Sequence, residues 1–237
     1  YEAFMVQYAG VDHETGQAQW YQDVYYNADG QKVESAKAAD YAYTKKELTT
    51  DITKATQYDC GSTLPTIFGG FGTSVAAYGF DLSAQFSYQL GGKIYDGQYQ
   101  ALMHNGTSKG SAMHKDLLNA WSETNKNSDI PRLSQAAADD PGIGSQTTQD
   151  RFLTSSNYLC LNNLTLGYTF PKALIRPLEL TNLRVYVAGE NIFMLTKRKG
   201  LDPRFNYGIG SMTSGSGLSG GGYAALRSIT AGISLTF

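Results

Sequence analysis

The chain has 237 residues, a formal net charge of −2 and 17 % charged residues, with 26 Gly, 17 Tyr and 10 Phe; ordinary soluble domains carry roughly 25 % charge. Lys197-Arg198-Lys199 is too short a basic run to make an electrostatic case for nucleic acid. No apolar run is long enough for a transmembrane helix, which leaves open a transmembrane barrel, whose strands are hidden in average hydropathy.

No signal peptide follows Tyr1, so the start reads as a processed end or an internal cut. Residues 1–64 are polar and rich in turns. Phe4–Gly10 and Gln17–Tyr21 read as a hairpin around Asp12-His13-Glu14-Thr15-Gly16. Asp12, His13 and Glu14 are metal-ligating types, but neighbours on a turn point apart, and a plain hairpin tip is expected. A second turn is expected at Asn27-Ala28-Asp29-Gly30, and the Lys-, Ala-, Thr- and Asp-rich stretch to Cys60 reads as irregular or as one short helix. The region as a whole reads as a long surface loop with a small sheet of its own.

From Pro65 the pattern changes to strict alternation. Ile67, Gly69, Phe71, Thr73, Val75 and Ala77 share one face. After a very short turn at Tyr78-Gly79, Phe80, Leu82, Ala84, Phe86, Tyr88 and Leu90 alternate with Asp81, Ser83, Gln85, Ser87 and Gln89. A strand of this length matches the roughly 9–11 residues that cross a bilayer when tilted. The stretch 92–156 carries no strand pattern; a helix over Ser111–Asn125 is expected, with Ser111 as cap and Leu117, Leu118 and Trp121 as its apolar stripe. A third strand starts at Tyr158, with Tyr158, Cys160, Asn162, Leu164, Leu166, Tyr168 and Phe170 on one face. A fourth sets Leu183, Val185, Val187, Phe193 and Leu195 against Arg184, Tyr186 and Glu190. The loop 198–225 follows, and the last strand places Ile229, Ala231, Ile233, Leu235 and Phe237 on one face and Ser228, Thr230, Gly232, Ser234 and Thr236 on the other.

Taken alone, that last strand fits a soluble sandwich or a membrane barrel, the sandwich being the favoured reading of the two. The connections decide, because the short ones fall at one end of the strands and the long ones (92–156, 198–225) at the other, the asymmetry of outer-membrane barrels. The fold class is therefore all-β, a transmembrane antiparallel β-barrel, of which the chain supplies about five long strands with long extracellular loops. Five strands cannot close, and an open edge in lipid leaves backbone groups unpaired at several kcal/mol each. The chain is accordingly expected to be a C-terminal piece of a larger barrel or one partner in a split one. Its organisation reads as a loop region over 1–64 and barrel strands over 65–237. Cys60 and Cys160 lie beside different strands, and a bridge between them is not the favoured reading.

Residues Tyr158–Pro171, Leu183–Phe193, Lys199-Gly200-Leu201-Asp202-Pro203 and Ile233–Phe237, in this order and spacing, resemble the end of the SusC/RagA branch of TonB-dependent outer-membrane transporters. Ala9-Gly10-Val11-Asp12, Thr15-Gly16 and Gly69-Gly70-Phe71-Gly72 add to the resemblance, which covers essentially the whole chain. Cys160 and Asn162 stand where that family more often carries Arg and Lys. The resemblance implies a plugged barrel of about 22 strands, with a plug and a TonB-contacting segment outside this sequence. It also implies import of oligosaccharides or peptides with a SusD-like surface lipoprotein, in the outer membrane of a Gram-negative bacterium. No enzyme chemistry and no cofactor are implied. Gly232, Ile233, Leu235 and Phe237 resemble the C-terminal signal by which barrels are recognised for membrane insertion.

The expected partners are thus the lipoprotein, the rest of the barrel with its plug, the TonB complex and outer-membrane lipid. Trp20, Tyr95, Tyr99, Trp121 and Tyr207 are the candidate ligand contacts, since aromatic rings offer apolar faces with polar rims. A barrel-anchored adhesin or scaffold without transport is the other reading. A hydrolase finds little support: His13, His104 and His114 all lie in loops, with no G-x-S-x-G elbow.

Overall fold

The computed structural model describes residues 2–34, 41–104, 110–133, 148–197, 202–205 and 225–237. Its strands are β1 (Glu2–Val6), β2 (Tyr8–Val11), β3 (Ala18–Tyr26), β4 (Lys32–Val33), β5 (Tyr43–Thr49), β6 (Gln57–Ser62), β7 (Ile67–Ala77), β8 (Phe80–Leu90), β9 (Lys93–Tyr95), β10 (Leu153–Ser155), β11 (Tyr158–Thr169), β12 (Asn182–Thr196) and β13 (Ser228–Thr236). Two short helices, α1 (Gly97–Leu102) and α2 (Lys172–Ile175), interrupt them. By contact the chain divides into two units, one built on 1–62 and 95–153, the other on 63–94, 154–207 and 221–237.

The second unit is an antiparallel sheet in the order β13-β12-β11-β8-β7. Alternation drives it: β8 buries neither face in a protein core, yet every second residue is apolar, and its partners repeat the pattern in register. Phe71 opposes Phe86 and Val75 opposes Leu82 across β7 and β8; Leu166 opposes Leu82 and Val187; Val185 opposes Ile233 and Leu183 opposes Leu235. This face stays open, with Val75 61 %, Val187 50 % and Ile233 69 % exposed. So large a contiguous apolar face marks contact with something other than water. β7 and β8 are joined by Tyr78 and Gly79 at φ 54° and 88°, the left-handed pair of a tight hairpin turn whose twist suits the flanking strands. β11 and β12 are joined through α2 and a 3-10 turn ending at Glu179, φ 58°. The long connections, 91–157 and 197–227, leave from the opposite strand ends.

One face assignment changes. A bulge in β11 between Leu161 and Asn163 reverses the alternation, so that Leu159 pairs with Tyr88 and Leu161 with Phe86 on the apolar face. Tyr158 and Cys160 join Gln89 and Ser87 on the other face instead of lining up with Leu164 and Leu166. Residues 191–192 of β12 absorb the same irregularity, with Asn191 at φ 49°, a conformation Asn tolerates better than most residues. The apolar face is thereby continuous along β11, which strict alternation would have broken.

The first unit holds the small sheets. β2 and β3 form the expected hairpin, closed by Gly16 N–H on Asp12 O at 2.7 Å, and the second turn places Gly30 N–H on Asn27 O at 3.1 Å. Residues Phe4–Val6, read as part of that hairpin, instead pair with β6 as β1. Among its described residues the Lys-, Ala-, Thr- and Asp-rich stretch forms no helix: β5 pairs with β3 from Trp20↔Thr49 to Tyr26↔Tyr43. The rings of Tyr26 and Tyr43 stack at 5.3 Å, and cross-strand pairing of this kind outweighs the helix propensity of Lys and Glu. In the expected helix Ser111–Asn125 only a 3-10 turn over Lys115–Asn119 forms, capped by His114. Leu117 is buried while Leu118 is 89 % exposed, so no common stripe exists. Asn119 O accepts instead from the Asn125 amide at 3.2 Å and the Ser128 hydroxyl at 2.5 Å, local bonds that compete with helix continuation. Short β9, β10 and α1 also stand in 92–156, where no strand and no helix other than Ser111–Asn125 was expected; the Asp96 carboxylate caps α1 by accepting Tyr99 N–H at 2.9 Å.

Candidate functional site

The face of the five-stranded sheet opposite the apolar one carries Asp81, Ser83, Gln85, Ser87 and Gln89 on β8, Asn163 and Thr165 on β11, Arg184, Tyr186 and Glu190 on β12 and Ser228, Thr230 and Ser234 on β13. Near the short connections it carries an ion pair that spans three strands. Arg184 Nε donates to Asp81 Oδ1 at 3.0 Å and Nη2 to Oδ2 at 2.6 Å, across Gly167 of the intervening β11. A Cβ at Gly167 would stand 2.5 Å from both partners, so the absence of a side chain there makes the bridge possible. The Tyr186 ring lies over Gly232 of β13 in the same way, and the Arg184 guanidinium sits 5.1 Å from the Tyr186 ring centre. The two pairings lock neighbouring strands on this face through side chains laid over glycines.

Nearer the long connections, Asp202 and Arg204 form a second centre. The Asp202 side chain is 6 % exposed. It accepts Arg204 Nε at 3.0 Å, Nη2 at 2.8 Å and the Arg204 backbone N–H at 3.0 Å, while Ala225 N–H approaches at 3.4 Å. The remaining arm of Arg204 donates to Asn191 Oδ1 at 3.0 Å, Asn162 Oδ1 at 3.4 Å and Cys160 Sγ at 3.4 Å. The two strand irregularities therefore supply the polar cradle that receives Arg204. Burial pushes the Asp202 carboxyl up, but Arg204 and the backbone N–H donors outweigh it and hold its pKa below the usual carboxylate value.

In the first unit the candidate aromatics divide by environment. Trp20 is fully enclosed with Val6, Ala18 and Ile52, and its indole N–H donates to Gln149 Oε1 at 3.1 Å. Tyr95 is buried with Met5, Met103, Leu117 and Phe152; burial, first, lifts its phenol to about 12. Both rings serve the loop cores. Tyr99 and Trp121 are half-buried. The Tyr99 hydroxyl donates to Asp116 Oδ2 at 2.8 Å, and its ring meets His114 edge-on at 4.8 Å. Trp121 lies on Gly16 of the β2–β3 turn and donates to His13 O at 3.0 Å. Tyr207 lies outside the described residues. At the hairpin tip the Asp12 carboxylate accepts Glu14 N–H at 2.9 Å, which lowers its pKa; His13 Nδ1 meets Lys126 O at 2.6 Å. Among the described residues no group of three or more His, Cys, Asp or Glu gathers for a metal ion, and neither Cys60 nor Cys160 is in a disulfide.

Sequence reasoning placed Asp81 and Arg184 on a polar face but did not join them; opposite charges two strands apart across a glycine are the pattern that could have done so. Arg204, one residue beyond Asp202-Pro203, was missed altogether.

No family model matches the chain. It is 29 % identical over 191 residues to TonB-dependent receptor P3 of Formosa agariphila, covering 79 % of this chain and 18 % of that one. TonB-dependent receptor P26 of the same organism is 25 % identical over 182 residues, covering 75 % and 17 %. Among solved structures, that of the RagAB peptide transporter superposes with a TM-score of 0.60 at 30 % identity over 84 % of this chain and 20 % of that one. The RagAB peptide importer in its open-open state gives 0.60 at 28 % over 99 % and 22 %. The chain thus spans about a fifth of the length of the relatives it matches. These relatives carry the names of receptors and transporters, not enzymes.

Proposed function

Because the chain belongs to the SusC/RagA-type TonB-dependent receptors and supplies part of the transmembrane β-barrel of one, we propose that the whole protein is a TonB-driven importer of oligosaccharides or peptides in the outer membrane. The observation that carries this reading is the five-stranded meander itself, apolar and open on one face, polar and cross-bridged on the other. In the proposed arrangement the open face meets lipid and the Asp81–Arg184 face lines the interior. Residues 1–64 and the loops 92–156 and 198–225 stand on the extracellular side, where a SusD-like lipoprotein closes the mouth. Trp121 and Tyr99, whose rings are partly accessible, are the loop aromatics best suited to touch cargo. The likeness to RagAB peptide importers supports peptide over glycan.

The experiment is genetic and biochemical together. Deleting the full-length gene should abolish growth on oligopeptides as sole nitrogen source while free amino acids still support it, and affinity-purified receptor should bring down a surface lipoprotein. Unimpaired growth on both peptides and oligosaccharides, with no lipoprotein retained, would refute the importer and leave a barrel-anchored adhesin.

A further inference from the structure

The open apolar face is not smooth. Near the ends from which the long connections leave, a groove of about 490 Å³ runs between Phe71 and Tyr88 on one side and Leu195 on the other, with Leu159 in its lining. The bulge in β11 contributes to it: Leu159 is turned to this face, opposite both Tyr88 and Leu195, and adds to an apolar lining that also includes Leu90. The groove ends at Thr196 and Lys197. Lys197 is exposed and makes no ion pair or hydrogen bond with a described residue. An apolar trough closed at one end by an uncommitted ammonium is complementary to an acyl chain with an anionic head. In a barrel, the ends carrying the long loops lie at the outward membrane surface, which puts Lys197 at headgroup depth and Phe71 deeper.

We propose that this groove is a binding site for one acyl chain of a phosphate-bearing lipid of the outward leaflet, with Lys197 as the contact for its phosphate. The proposal depends on the sheet being a barrel wall, not on what the importer carries.

The test uses the full-length receptor in lipid nanodiscs, with phosphatidylglycerol and phosphatidylcholine of matched chains as probes. Lipids retained after detergent washing are counted by native mass spectrometry. The intact protein is expected to retain phosphatidylglycerol about fivefold over phosphatidylcholine, the scale of one basic residue near an anionic headgroup. Lys197→Ala should bring that ratio close to unity, and Leu195→Ser should lower retention of both lipids. Equal retention of the two lipids by the intact protein, or an unchanged ratio in Lys197→Ala, would overturn the site. So would disulfide cross-linking of Leu195→Cys receptors to each other, which would make the groove a contact between copies. Peptide uptake measured on the same variants separates this proposal from the importer reading.

Discussion

Gly167 shows what a single missing side chain does. Arg184 reaches Asp81 only because the residue between them has no Cβ to stand 2.5 Å from both. Gly167→Ala should therefore displace the bridge and lower stability only modestly, as expected of a solvated ion pair. The apparent Tm of the detergent-solubilised receptor checks it, and in an Asp81→Asn background the same change should cost nearly nothing more. Arg204 is more demanding. Its removal leaves the Asp202 carboxylate enclosed without its partner, and Arg204→Ala should cost about 3 kcal/mol locally, read as faster exchange of the backbone amides at position 204 and Ala225. The sign with pH follows from the lowered Asp202 pKa: the attachment is fully present above the ordinary carboxylate value and is lost only as pH falls below it. Amide protection at Arg204 should thus persist through pH 5 and collapse in stronger acid; loss already near pH 5 would contradict the cradle.

Among the elements, the long strands were legible because period-two alternation is a direct image of a two-faced sheet, and β7, β8, β12 and β13 appear as read. The lower half of β11 was not, since Tyr158 and Cys160 on one parity and Leu159 and Leu161 on the other are all plausible on an apolar face. Only pairing with Tyr88 and Phe86 resolves which set turns outward. The loop strands β5 and β6 were illegible for a different reason: Lys45-Lys46-Glu47 carries no apolar alternation, and β5 is held by its pairing with β3 and by Lys46, which lies over the rings of Tyr21 on β3 and Tyr58 on β6. Likewise nothing local distinguished Trp20 and Tyr95, drawn into cores by distant segments, from Tyr99 and Trp121. The bulge has a direct test. In a Cys160→Ala receptor, cysteine at 159 should react with a membrane-soluble maleimide and resist a water-soluble one; the reverse would restore uninterrupted alternation.

At the scale of the whole molecule, β13 and β7 are the outer strands of the sheet, each with an unpaired edge among the described residues. Backbone groups left open in hydrocarbon cost several kcal/mol each, so these strands need neighbours from the remainder of a barrel. The chain expressed alone should fail to gain the heat-modifiable gel mobility of a folded barrel in lipid vesicles, whereas the full-length receptor should show it. Phe237, 84 % exposed on the apolar face beyond β13, belongs to the proposed insertion signal with Gly232, Ile233 and Leu235. Its deletion from the full-length protein should lower surface level several-fold without altering ligand contacts of the protein that does assemble.

The two cysteines, one in each unit and neither bridged, turn the molecule into its own timepiece. Cys160 is sealed beneath Arg204 and Cys60 within the core around Met5, so each thiol becomes reactive only when its own surroundings open. The rate at which Cys160 is alkylated counts departures of Arg204 from its cradle, and the rate for Cys60 counts openings of the loop core. Comparing the two rates would reveal which of the two units opens more readily.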